Sequence, residues 1–112
     1  MARTATTADV FNAIAEERRR DILDVLRDGE AGVDQLGRRL HLPQPQVSKH
    51  LRVLREVDLV RCRVVGRHRV YRLHAPALRP LHDWVRAYEA LWNERLDRLD
   101  GLLAELQQED PR

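Results

Sequence analysis

Between Val47 and Val64 the apolar residues change their spacing, and that change fixes the order of two elements. Val47, Leu51 and Leu54 recur at fours and threes, the period of a helix with one buried face. Val60, Cys62 and Val64 instead alternate with Arg61 and Arg63, the period of a strand. Val65-Gly66-Arg67-His68 interrupts this strand, and Val70-Tyr71-Arg72-Leu73 resumes a β-rich run. A helix followed at once by a β-hairpin with a basic tip is the result. That helix cannot begin before Pro43, while Pro45 is tolerated in a first turn because its missing N–H would be unpaired there. It is expected from Pro45 to Val57.

Upstream, Asp9 or Thr7 can cap a first helix whose stripe is Val10, Phe11, Ile14 and Ala15. Ile22, Leu23, Val25 and Leu26 define a second helix that stops at Gly29. Glu16-Glu17-Arg18-Arg19-Arg20-Asp21, between the two stripes, interleaves acids with bases and reads as a solvated helix face with i,i+4 pairs. Gly29-Glu30-Ala31-Gly32 reads as a loop, and Val33, Leu36 and Leu40 stripe a short helix ending near His41-Leu42-Pro43. Downstream, Pro76 and Pro80 bracket the start of a long helix expected over residues 76–108. Its apolar positions, from Leu81, Trp84 and Tyr88 through Trp92, Leu96 and Leu99 to Leu106, recur at threes and fours, with Gly101 as a weak point. The fold class is mainly α with a two-stranded β-wing, in α-α-α-α-β-β-α order, which is the order of a winged helix-turn-helix.

A chain of 112 residues fits one compact domain spanning 1–112, and 43% hydrophobic residues suffice for one modest core. The final helix carries more apolar surface than so small a domain can cover. A second copy of the chain, packed through Phe11, Trp84, Tyr88, Trp92, Leu96 and Leu99, is the expected cover. The N-terminus lacks the apolar run of a signal peptide and no later segment is long enough to span a membrane, so a cytoplasmic protein without a membrane partner is expected. Cys62, the only cysteine, cannot form an intrachain disulfide, and on an alternating strand it reads as a buried thiol. Catalysis finds no support, because no nucleophile–base pairing, phosphate loop or metal motif is visible. No cofactor is implied.

The formal net charge of +2 conceals a concentration of positive charge. Residues 41–74 carry eight basic side chains against two acidic ones, Glu56 and Asp58, while the flanks together sum to −4. A polyphosphate partner suits that distribution. With Val47, Leu51 and Leu54 turned inward, Ser48, Lys49 and Arg52 turn outward, and Gln44 and Gln46 lie at the leading end. Gln can pair bidentately with adenine, Ser can donate or accept, and Lys or Arg reaches guanine or phosphate. Arg67 and Arg69 at the hairpin tip suit phosphates or a narrow minor groove. His50, between the inner and outer faces, reads equally as a base contact or a structural hydrogen bond.

Three segments carry a resemblance to a known family. They are Phe11-Asn12-Ala13-Ile14-Ala15 with Arg18 to Leu23, then Gln44-Pro45-Gln46-Val47-Ser48-Lys49-His50-Leu51-Arg52-Val53-Leu54-Arg55, and then Leu59-Val60 to Gly66-Arg67 with Val70-Tyr71-Arg72-Leu73. The chain resembles the ArsR/SmtB bacterial repressors from about residue 10 to the final helix. The resemblance implies a homodimer that binds double-stranded DNA at an inverted-repeat operator and represses transcription. It also implies a place to look for metal. The thiolate type of this family has a Cys-x-Cys pair where this chain has Gly37 and Arg39, and the final-helix type has ligands where this chain has Pro80, His82, Asn93 and Leu96. One ligand of four makes no site, and the histidines at 41, 50, 68, 74 and 82 never fall at i,i+3 or i,i+4. A metal-independent branch is therefore expected. The family commonly has serine where Pro43 stands, so a hydroxyl cap is lost there. Two further readings stand beside this one: a winged-helix protein-interaction module without a DNA role, and an effector- or metal-responsive sensor of the same fold, a small-molecule effector then lying along Trp84, Tyr88 and Trp92.

Overall fold

The structure, a computed structural model, describes residues 7–109. Helix α1 (Thr7–Ile14) and helix α2 (Glu17–Arg27) come first, then strand β1 (Ala31–Gly32), helix α3 (Val33–Leu40) and helix α4 (Gln44–Glu56). Strands β2 (Val60–Val65) and β3 (His68–Leu73) follow, then a short 3-10 turn (Ala75–Leu78) and helix α5 (Arg79–Glu109). The winged helix-turn-helix order holds. Contacts divide the chain after Leu81 into two units.

The first unit encloses a core of Ile22, Leu26, Leu36, Val47, Leu51, Leu54, Leu59 and Val60, to which α1 adds Val10 and Ala13 and β3 adds Tyr71. Side chains expected inward on α2, α3 and α4 line this core. Tight turns set the angles between the helices. At the end of α3, His41 takes a left-handed φ of 56° and the Leu42 N–H donates to the Gly37 carbonyl at 3.0 Å. A Cβ on Gly37 would stand 3.0 Å from the Leu42 carbonyl oxygen, so glycine leaves this turn room that a larger residue would take up by a small shift of the carbonyl. Helix α4 ends on Asp58, at φ 62°, with the Asp58 N–H donating to Arg55 and the Leu59 N–H to Leu54, both at 3.0 Å. That pair of bonds is a Schellman closure, with aspartate in the place more often held by glycine.

The wing is a strand longer than the sequence pattern implies. Ala31 and Gly32, expected in a loop, pair antiparallel with Tyr71 and Val70, giving a three-stranded sheet of order β1-β3-β2. Two residues are too few to show an alternation. Val65 and His68, expected in the interruption, pair with each other, so the hairpin turn is Gly66-Arg67 alone. Gly66, with φ 60° at the first central position, suits a type II′ turn whose twist matches the strands.

Other boundaries shift as well. Asp9 lies inside α1 rather than ahead of it, and the capping side chains of Thr7 and Asp9 lie outside the described residues. The acid–base run begins at a corner, because Glu16 is the N-cap residue of α2. Its pairs close at i,i+3, with Arg19–Glu16 at 3.2 Å and Arg18–Asp21 at 3.6 Å. Arg20 leaves the solvated face altogether and donates to the Ile14 and Ala15 carbonyls at 2.8 and 3.2 Å. Those carbonyls at the end of α1 would otherwise lack partners. Helix α5 starts at Arg79, with Pro76 in the preceding 3-10 turn.

The second unit is the body of α5. Trp84, Tyr88, Leu91, Trp92, Leu96, Leu99, Leu102, Leu103 and Leu106 are between 42% and 56% exposed along it. Trp84 and Tyr88 meet edge to face with ring centroids 5.3 Å apart. No helix among the described residues is long and apolar enough to cross a membrane.

Candidate nucleic-acid interface

Which α4 side chains face solvent follows from which are buried. Val47, Leu51 and Leu54 are at most 1% exposed, and each buried aliphatic side chain contributes about 1.5 to 3 kcal/mol, so the helix cannot rotate about its axis without a large loss. Gln44, Gln46, Ser48, Lys49, Arg52 and Arg55 are therefore held outside. Pro43 caps the helix without a side-chain bond and Pro45 sits in the first turn, so no cap side chain covers the leading end.

Gln44, Ser48, Arg52 and Arg55 form one wall of an open groove of about 710 Å³. Gly32 to Gln35 with Arg38, from β1 and the start of α3, form its floor, and Arg67 to Tyr71 of the wing form the other wall. Five arginines line it, at positions 38, 52, 55, 67 and 69, and Asp34 is the sole acid among the lining residues. None of the five guanidinium groups makes a side-chain hydrogen bond or ion pair within the described residues. Five charged forks along one groove, with no acceptor among the described residues, have the chemistry that suits anionic oxygens.

Of the residues expected to touch DNA, the groove gathers Gln44, Ser48, Arg52, Arg67 and Arg69. Gln46 and Lys49 are exposed on α4 but lie off the groove. His50 does not lie on the outer face. It is 8% exposed beside the inner stripe, with Nε2 3.4 Å from Glu16 Oε1, so its reading as a base contact gives way to a structural one. Arg38 and Arg55 are additions. Arg55 was visible in the spacing, since it continues the outward stripe of Ser48 and Arg52, whereas Arg38 joins only through the packing of α3 on α4.

The wing sorts its arginines by strand parity. Directly opposed residues share a face, so Arg69, opposite Val64, lies on the face of Tyr71 and Cys62, while Arg61, Arg63 and Arg72 lie on the other. Two of those outer arginines are neutralised. Arg61 grips Asp58 with two bonds of 3.0 Å, and Arg63 grips Glu30. The basic zone is thus less positive than its count, and its unpaired charge is concentrated in the groove. Val64, expected inside by alternation, is 69% exposed because the hairpin outruns the core. Cys62 is half-buried against the core rather than fully buried.

The residues expected at a subunit contact divide between the units. Phe11 is half-buried, whereas Trp84, Tyr88, Trp92, Leu96 and Leu99 are all exposed on α5. Among the described residues no group of three or more His, Cys, Asp or Glu side chains is placed to hold a metal ion.

The model of the bacterial regulatory proteins of the arsR family matches residues 16–61, which run from the start of α2 into β2. The HTH-type transcriptional regulator Rv2034 of Mycobacterium tuberculosis is 38% identical over 82 residues, covering 69% of this chain and 77% of that protein. The transcriptional repressor SdpR of Bacillus subtilis is 27% identical over 77 residues, with 69% and 86% covered. Among solved structures, the homodimeric winged helix-turn-helix DNA-binding domain Mb0332 of Mycobacterium bovis superposes with a TM-score of 0.61 at 31% identity. It covers 75% of this chain and 80% of that one.

The paired acids at the wing make a prediction about acid. The Arg63 hydrogen bond holds Glu30 below its ordinary value against the opposing effect of desolvation, helped by the charges of Arg63 and Arg72. Asp58 is lowered in the same way by Arg61, with a smaller contribution from His74 at 3.6 Å. A carboxylate lowered on folding stabilises the folded state above its unfolded pKa, and that contribution disappears as pH falls through the folded value. Glu30→Gln and Asp58→Asn should therefore lose less of their urea midpoint than the parent between about pH 5 and pH 2. Parallel acid titrations of all three proteins, with equal slopes, would show that these pairs carry no stability.

Proposed function

The chain belongs to the ArsR family of bacterial regulatory proteins, DNA-binding transcription regulators and not enzymes. From that premise we propose that it is a homodimeric repressor, acting in the cytoplasm, that reads an inverted-repeat operator with α4 and grips the backbone with its wing. One observation carries the reading: the outward face of α4 and the inner face of the wing share a groove whose five arginines have no acceptor among the described residues. A helix in the major groove with a hairpin beside it places Ser48 and Arg52 at base edges and Arg67 and Arg69 at phosphates or the minor groove. Gln44, Gln46 and Lys49 extend the helix contacts, and Arg38 and Arg55 add charge toward the backbone. Repression as the outcome rests on the likeness to SdpR.

Dimerisation rests on α5. A face of nine large apolar side chains, each roughly half exposed, exceeds what a small monomer ordinarily leaves to water, and a second copy covers it. Mb0332 is a homodimer of the same domain type. Phe11, Trp84, Tyr88, Trp92, Leu96 and Leu99 are the proposed contacts.

Control by metal is not part of the proposal. The two places of the thiolate pair are Gly37 and Arg39, and at Gly37 any Cβ meets the Leu42 carbonyl at 3.0 Å. A cysteine there would require the Leu42 carbonyl to give by a few tenths of an ångström. In the final helix Pro80, Asn93 and Leu96 stand where ligands would be required, leaving His82 alone.

Two experiments test the proposal. Arg52→Ala should weaken binding to a selected operator by about 1 to 3 kcal/mol while scarcely changing affinity for random duplex. Arg67→Ala should weaken both alike and flatten the salt dependence by about one unit for each phosphate that it leaves without a cation. Equal losses on both duplexes for Arg52→Ala would take base reading away from α4. For the dimer, Trp92→Ala should lose about 3 to 5 kcal/mol of association if that ring is buried between copies, and Leu99→Asp should be severe as well. Sedimentation at low micromolar concentration should find both as monomers, and two intact dimers would place the interface elsewhere.

A further inference from the structure

The recognition helix is tied to the rest of the domain by more than its apolar stripe. His50 sits on the flank of α4 with its side chain 11% exposed, and its Nε2 stands 3.4 Å from Oε1 of Glu16. Glu16 is the N-cap residue of α2, yet its carboxylate makes no cap bond to that helix. Instead the carboxylate is shared between His50 and Arg19, the latter at 3.2 Å. The cluster is expensive to bury, since Arg19 Nε and His50 Nδ1 both lack hydrogen-bond partners and neither is accessible. Apolar side chains of similar size would fill the same space without that cost.

The corner that carries Glu16 is itself fixed. Arg20 donates from its guanidinium group to the Ile14 and Ala15 carbonyls and from its backbone N–H to the Glu16 carbonyl at 3.2 Å, so polar links run from the end of α1 through the corner residue to α4. Apolar packing sets how deep α4 sits and how it is rotated about its own axis, but holds its tilt against the α1–α2 corner less tightly, because aliphatic contacts are not directional. The Glu16–His50 contact at 3.4 Å instead ties one point on the flank of α4 to the corner, as a charged pair when the imidazole is protonated.

We propose that the Glu16–His50 link is a positioning device for operator reading: it fixes the pitch of α4 against the α1–α2 corner, so that the base-facing side chains arrive in register. His50 acts through α4 and touches no DNA. The proposal rests on α4 being the reading helix. Its consequence is specific. A small change of pitch moves Ser48 and Arg52 away from base edges, whereas phosphates can be gripped over a range of orientations.

The test uses duplex selected by the full-length protein from a random pool, and a shuffled duplex of the same composition. His50→Leu removes the ring nitrogens and keeps the bulk, His50→Gln retains an N–H group close to the place of Nε2, and Glu16→Ala removes the carboxylate, whose side chain is 45% exposed. His50→Leu and Glu16→Ala should each lose at least about fivefold on the selected duplex and less than about twofold on the shuffled one. His50→Gln should recover most of that loss, and the double variant should be no weaker than either single one. Thermal unfolding of each protein separates pitch from stability, since a merely structural role would lower affinity for both duplexes together. Unchanged discrimination in Glu16→Ala and His50→Leu, or additive losses in the double variant, would overturn the positioning role. Arg52→Ala serves as the control. If it loses selected binding while the other variants do not, only the positioning role fails; if it loses nothing, the reading helix and this proposal fall together.

Discussion

Burial of Val47, Leu51 and Leu54 beneath α4 is the constraint on which the remaining geometry depends. Each contributes about 1.5 to 3 kcal/mol of buried apolar surface, and together they rival the net stability of a small domain. The helix therefore has one acceptable rotation. That rotation decides that Ser48, Arg52 and Arg55 face the groove, and it places His50 against Glu16 instead of solvent. Nothing on the outer face contributes comparably to folding, so the outer face is open to selection for binding.

The wing completes the groove through a second constraint, the alternation of strand side chains. Register places Arg69 on the core-side face with Tyr71, and Arg61, Arg63 and Arg72 on the far side. On the far side Asp58 and Glu30 neutralise two of the three. Among the described residues, pairing thus removes two of the zone's eight basic side chains, both from the far face of the wing, and leaves Arg52, Arg55, Arg67 and Arg69 along the groove. Such focusing favours approach of a polyanion in one orientation.

Long stripes with a clear period were legible in the sequence, and pairwise tertiary relations were not. The inner stripe of α4, the hairpin and the apolar face of α5 each repeat several times, so burial of one residue predicts its neighbours. Strand β1 has two residues and no period, and it is recognisable only by its partners Tyr71 and Val70. Glu30 lies 33 residues from Arg63, so the loss of that charge from the basic zone could not be counted along the chain. His50 falls on the boundary between inner and outer positions, where one helical step decides between base contact and buried link. Arg38 reaches the groove from another helix. For the interface as a whole, spacing on α4 named Gln44, Ser48 and Arg52, and the tip of the hairpin named Arg67 and Arg69.

The long apolar face of α5 gives the account its symmetry. In the proposed dimer, two copies joined along it would be related by a dyad, and dyad-related recognition helices enter successive major grooves about 34 Å apart. Methylation protection on duplex selected by the wild-type protein tests this most directly, because dimethyl sulfate marks guanine N7 in the major groove and adenine N3 in the minor groove. Two clusters of protected guanine N7, centred about one helical turn apart and related by a dyad, are the result this account predicts. Protection confined to adenine N3, or a single cluster without a symmetry mate, would contradict it.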